Sequence, residues 1–186
     1  DLMDSLGFPY YPMGGNHDFV LEDSRKWFLE AFHAQLPVKN TYYSFDHNDM
    51  HFAVLDPWWK WHDDTLHLIS EPKMVEKQKT DVRGARWEVP QDQLDWLDED
   101  LKANADKVCI VSSHYPAVDI PDRLQQPGLR NSGALDNGEA LSEVLRGHPQ
   151  VKILFSGHMH MHIIEQDTTF THIVTGALPE YPTEYR

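Results

Sequence analysis

Two rhythms of apolar residues run along this chain, one with a helical period and one strand-like. Trp27, Phe28, Ala31 and Phe32 recur at helical spacing, and Asp23 or Ser24 can cap them, which predicts a helix over 23–34. Pro90 opens a second helix whose apolar face is Leu94, Leu97 and Leu101, widened by Trp96. A third is expected at 138–147. Strands read at 42–46 and 51–56, joined at Asn48-Asp49. Val108–Ser113 and Val151–Ser156 are nearly unbroken apolar runs of the kind buried inside a sheet. The first ends in His114 and the second in Gly157-His158. Ile163–Gln166 and Thr169–Thr175 complete the strand series. Residues 1–7 read as the end of a helix closed by Gly7, and Phe8–Met13 as a short aromatic strand interrupted by Pro9 and Pro12. Residues 117–137 read as a long loop, and 57–89, polar and irregular, as an insertion or lid within one domain spanning 1–186. Strands alternating with helices predict an α/β core whose ligands bind beyond the C-terminal strand ends. The polar motifs of this chain sit at such ends.

Composition narrows the chemistry. With 16 basic and 30 acidic residues the net charge is −14, with no clustered Lys and Arg to line a nucleic-acid groove. An anionic substrate would need bound cations to reverse the local field. No apolar run reaches the ~20 residues a membrane span requires, and the sequence does not indicate a compartment. The single cysteine, Cys109, excludes an internal disulfide and a Cys-based zinc site. The twelve histidines are the available nitrogen ligands.

Three motifs matter. Gly15-Asn16-His17-Asp18 is a tight turn in which Asn16 offers a neutral amide oxygen to a cation and His17 can act as a general acid; such residues also make plain turns. Ser112-Ser113-His114-Tyr115-Pro116 puts an imidazole at a strand end, where a lone histidine is more often structural. Ser156-Gly157-His158-Met159-His160 places two imidazoles at i and i+2, on one side if the segment is extended. His162 continues the alternation as a lower-ranked ligand.

The order Gly-Asn-His-Asp, strand-His, strand-Gly-His-x-His resembles the calcineurin-like metallophosphoesterase superfamily over nearly the whole chain. The likeness includes the Tyr43-Ser44-Phe45-Asp46 and His51–Asp56 strands and the Gln93–Leu97 helix start. The resemblance implies a metallophosphoesterase-type β-sandwich flanked by helices. It implies Asn16, His114 and His158 as ligands of one metal and His160 of the other, with His17 protonating the leaving oxygen. Two ions of the Mn, Fe, Zn or Co type, roughly 3.5–4 Å apart, would clamp the phosphate and activate a water. The substrate would be a small-molecule phosphate ester, diester or monoester; association into a homo-oligomer is compatible with it.

The likeness is incomplete. The family's Asp-x-His and Gly-Asp motifs do not precede Asn16, and Asp1 and Asp4 lie on the apparent helix. The chain is therefore expected to be a partial copy, truncated at the N-terminus and beyond Arg186, to hold at most one metal and to catalyse poorly alone. The competing reading is a catalytically incomplete metal-binding or interaction module. A metallo-β-lactamase-like site would need His-x-His-x-Asp-His, which His158-Met-His160-Met-His162 does not match. The Trp58, Trp59 and Trp61 group is expected to pack on the core or to stack on an aromatic leaving group, and His62, Asp63, Asp64 and His67 to form a solvated loop.

Overall fold

The structure is a computed structural model that describes residues 3, 5, 7–19, 23–60, 66–67, 86–118 and 133–176, with backbone alone at 58–60, 66–67 and 86. The helix expected at 1–7, the side chains of the Trp58–Trp61 group and of 62–67, and most of the 117–137 loop lie outside the described residues, as do Asp1 and Asp4.

The long apolar runs form the middle of the main sheet. β1 (Tyr43–His47) and β2 (Met50–Val54) make an antiparallel hairpin through Asn48, whose φ of 52° suits an asparagine. β6 (Val108–Ser112) and β7 (Val151–Ser156) lie parallel to β2, followed by β9 (Thr171–Val174) and then β8 (Ile163–Gln166), antiparallel at the edge. The six-stranded order is β1-β2-β6-β7-β9-β8. Because β2, β6, β7 and β9 are parallel, their C-terminal ends share one rim, where the expected motifs sit. The α/β architecture expected from the sequence is thus observed.

Two helices make the crossovers. α2 (Gln91–Ala103) buries Leu94, Leu97 and Leu101, and α3 (Gly138–Arg146) buries Leu141 and Leu145. They touch each other and share one core cluster with Cys109, Val111, Val151 and Leu154 of the sheet. Burying each of those leucines is worth about 1.5–3 kcal/mol. α1 (Ser24–Ala31) is shorter than the predicted 23–34, and Asp23 makes no side-chain cap.

Two expectations are corrected. Phe8–Met13 is not a strand: Pro9 and Pro12 have no N–H to donate to a ladder. The segment is held by side chains instead, with Tyr11 stacked on Phe45 at 3.5 Å and Pro12 O accepting from Tyr43 Oη at 2.6 Å. The 57–89 segment is not wholly irregular. It supplies β3 (Trp58–Lys60), β4 (Leu66–His67) and β5 (Arg86–Glu88), a small antiparallel sheet ordered β4-β3-β5.

Candidate metal centre

Three side chains from distant parts of the chain converge on the rim. Asn16 Oδ1 is 2.8 Å from His114 Nε2 and 3.2 Å from His158 Nδ1, and the two ring nitrogens are 3.3 Å apart. Donor atoms around one ion at bond lengths near 2.0–2.1 Å stand about 2.9–3.4 Å from one another in octahedral or tetrahedral geometry. Two imidazole nitrogens and an amide oxygen at this spacing therefore fit one borderline cation. His17 and His160 are exposed at the periphery. They stand near enough for their charges to be felt at both His114 and His158.

Burial, reinforced by the neighbouring histidines, pushes His114 down to about 3 and His158 down to about 4. Both rings are therefore neutral around pH 7, as nitrogen ligands must be. Among the described residues there is no cluster of three or more His, Cys, Asp or Glu side chains set to hold a metal; the converging set is two histidines and an asparagine.

Asn16 and His158 are each carried on a tight turn. In the Asn16 turn Gly15 N–H donates to Asp18 Oδ2 at 2.8 Å and Asp18 N–H to Gly15 O at 3.1 Å. Asp18, left without a role by sequence reasoning, locks the turn. Gly15 lies under the His114 ring, and a Cβ there would come within 2.7 Å of Cε1. Beneath the turn Phe19 packs on Gly14, on Phe28 and under the Arg25 guanidinium, 4.4 Å from its centroid. Arg25 in turn forms a two-nitrogen ion pair with Asp56, which also accepts from Thr41 Oγ1 at 2.6 Å. Gln93 brackets Asp56, accepting from its N–H at 3.1 Å and donating to its carbonyl at 2.8 Å.

On the other side, Gly157 N–H donates to His114 O at 3.0 Å, tying the two strand ends together. The His-x-His segment is not extended as expected. His158 and His160 have φ of 63° and 52°, and Met159 N–H donates to Gly157 O at 2.7 Å across His158. The chain must reverse here to enter β8, and this tight turn does it. Left-handed non-glycine residues cost of order 1 kcal/mol and persist where surroundings hold them. His162 Nδ1 accepts from Gly176 N–H at 3.1 Å, so it serves the backbone of the neighbouring strand end.

Sequence reasoning missed the supports: Arg25, which reads as an exposed helix position, and Gly133, Trp87 and Tyr115 around His158. Asp56, ending an apolar strand, was the one visible signal among them.

Residues 1–162 match the calcineurin-like phosphoesterase family. The chain belongs to that family. Over 101 residues it is 31% identical to a probable cyclic nucleotide phosphodiesterase of Synechococcus sp., covering 51% of this chain and 37% of that protein. Over 73 residues it is 29% identical to a 3',5'-cyclic-nucleotide phosphodiesterase of Nostoc sp., covering 39% of this chain and 26% of that protein. The chain thus spans well under half the length of these curated relatives. A solved structure of a dimetal phosphatase from Danio rerio superposes with a TM-score of 0.67 at 17% identity, over 99% of this chain and 64% of that one. At that identity the likeness speaks for the fold. A calcineurin-like phosphoesterase is at this level a metal-dependent enzyme of phosphate esters, so the family implies divalent metal ions.

Proposed function

We propose that the protein containing this chain hydrolyses phosphodiesters, cyclic nucleotides among them, at a metal centre on the sheet rim. The observation that carries the reading is the convergence of Asn16 Oδ1, His114 Nε2 and His158 Nδ1 within 2.8–3.3 Å of one another. The phosphodiesterase activities for which the Synechococcus and Nostoc relatives are named direct the substrate class. Asn16, His114 and His158 would hold one ion, and His160 would help to hold a second. When bound, the ions supply Lewis-acid charge to the phosphoryl oxygens and make a water nucleophilic.

This chain's own residues do the rest. Asn16 contributes an oxygen without cancelling positive charge. His114 and His158, kept neutral by burial, present lone pairs at neutral pH. His17, exposed beside the centre, holds the proton delivered to the leaving oxygen. Binding cations at this rim also answers the charge of −14, because it makes a locally positive site for an anion on an acidic protein.

A second reading is a metal-binding module incomplete as a catalyst, favoured by the ligand set having no carboxylate among the described residues. Elemental analysis and hydrolysis of bis(p-nitrophenyl) phosphate and p-nitrophenyl phosphate in Mn²⁺, on one sample, separate the two. Two metals per chain with turnover of the diester support the enzyme. One metal without turnover supports the module. No metal at all removes the centre.

A further inference from the structure

The His158 imidazole is enclosed by three segments that lie far apart in sequence. Gly133 has a φ of 106°, and a Cβ built on it would overlap His158 Cδ2 and Nε2. Tyr115 meets the ring at 4.7 Å between centroids, and Trp87 meets it edge-on at 6.2 Å. Trp87 and Tyr115 are stacked on each other at 4.4 Å and 11°. The backbone fastens these segments together. Asp136 N–H donates to Trp87 O at 2.7 Å and Leu135 N–H to Pro116 O at 2.8 Å. The Asn137 side chain accepts from Val89 N–H at 3.0 Å and donates to Val89 O at 2.8 Å.

The edge of the ring against Gly133 carries Cδ2 and Nε2. The opposite edge carries Nδ1, which faces Asn16 and His114. Metal-binding histidines are ordinarily oriented through the atoms on the far side of the ring from the metal. Here that side is closed by backbone without a side chain, and the ring is flanked by aromatic groups. His158 itself sits at φ 63°, so its backbone does not select this orientation without help.

We propose that Gly133, backed by the Trp87–Tyr115 stack, is a positioning residue that holds the His158 ring with Nδ1 turned into the centre. As a statement about metal binding, this rests on the reading given under Proposed function. It gives β5, the returning strand of the 57–89 segment, a place in the wall of the site.

The test is Gly133→Ala, read in two ways. Imidazole ¹H–¹⁵N correlation spectra of the metal-free protein report ring environment, and Mn²⁺ titration followed by electron paramagnetic resonance reports affinity. The His158 ring signals should move while those of His172, buried on β9 against Ser156 of β7, stay in place. Mn²⁺ affinity should fall on the order of 10-fold or more. Gly7→Ala is the control: it has a φ of 72° with nothing within 4 Å of its Cβ, so it carries the backbone strain without the overlap and should move neither readout. His158 signals unchanged in Gly133→Ala would overturn the proposal. Signals that move in a protein that takes up no Mn²⁺ support the positioning and sink the metal reading. If Gly133→Ala does not fold, Trp87→Leu removes the wall from behind, and an unmoved His158 there overturns the proposal equally.

Discussion

The two ends of the central sheet treat histidine in opposite ways. At the C-terminal rim His114 and His158 face each other and an amide, and burial strips them of basicity. At the other end His51, paired in register with Cys109 near the start of β6, is almost fully buried too. There Nδ1 lies 2.8 Å from Asp46 Oδ1 and Nε2 lies 2.6 Å from Asp100 Oδ2. Burial pulls His51 down, but its hydrogen bonds to Asp100 and Asp46 outweigh that and raise it above its ordinary value. A carboxylate at each nitrogen favours the charged, doubly donating imidazole, and the ring joins the hairpin to α2. Depth alone therefore does not decide what a histidine does; the presence of a carboxylate does. The rim has such a group in Asp56, but Arg25 has claimed it.

The largest test of the contrast removes that claim. Asp56→Ala strands the Arg25 guanidinium, which is 13% exposed against 4% for Asp56, so the pair is a buried one. Breaking such a pair costs about 3–5 kcal/mol. Urea unfolding should show a loss of that size, and a loss under about 1 kcal/mol would reduce the pair to a surface contact.

The next effect depends on pH. His51 has a folded pKa raised above its unfolded value of about 6.5, so its contribution is complete below that pH and is lost as pH rises through the folded pKa. The stability gap between wild type and His51→Gln should be widest at pH 5.5 and should narrow by pH 9. A gap that widens with pH would place a neutral imidazole between the two carboxylates.

The smallest effect lies one step outward. Lys107 Nζ, 2.8 Å from Asp46 Oδ2, is the largest cause holding the Asp46 carboxyl below its usual range, ahead of His51. In Lys107→Ala the carboxyl titration of Asp46, followed by NMR, should rise toward the ordinary value while His51 remains protonated at pH 6. An unmoved Asp46 would assign the depression to His51 alone.

Much of this contrast was legible in the sequence on the rim side. The apolar runs ending in His114 and Gly157-His158 placed two histidines at strand ends, because a buried parallel strand reads as a near-continuous apolar run and the residue after it reaches the rim. Gly15-Asn16 was visible as a tight turn ahead of the strand series, although plain turns use the same residues, and it gained its meaning only from its order with the two histidine motifs. The supports were not visible. Arg25 has the spacing of a solvated helix position, and its partner Asp56 lies 31 residues away in the chain. Gly133 stands in a loop whose meaning comes only from what it touches. The expectation that His158 and His160 lie on an extended segment failed because strand alternation is a local rule, while the reversal into β8 is imposed by the sheet. Phe8–Met13 failed as a strand for a reason already in its two prolines.

The contact between Asn16 and His158 joins residues 142 positions apart, and that between Asn16 and His114 joins residues 98 apart. Closing such long loops costs entropy that grows with their logarithm and must be met before any contact returns it. The Asn16–His158 contact cannot form until β7 has been made and laid beside β6. During synthesis the ribosome must therefore deliver more than three quarters of this chain before Asn16, His114 and His158 can meet. An ion held there, as proposed above, would act as a clasp on the finished sheet, joining the Asn16 turn to the end of β7.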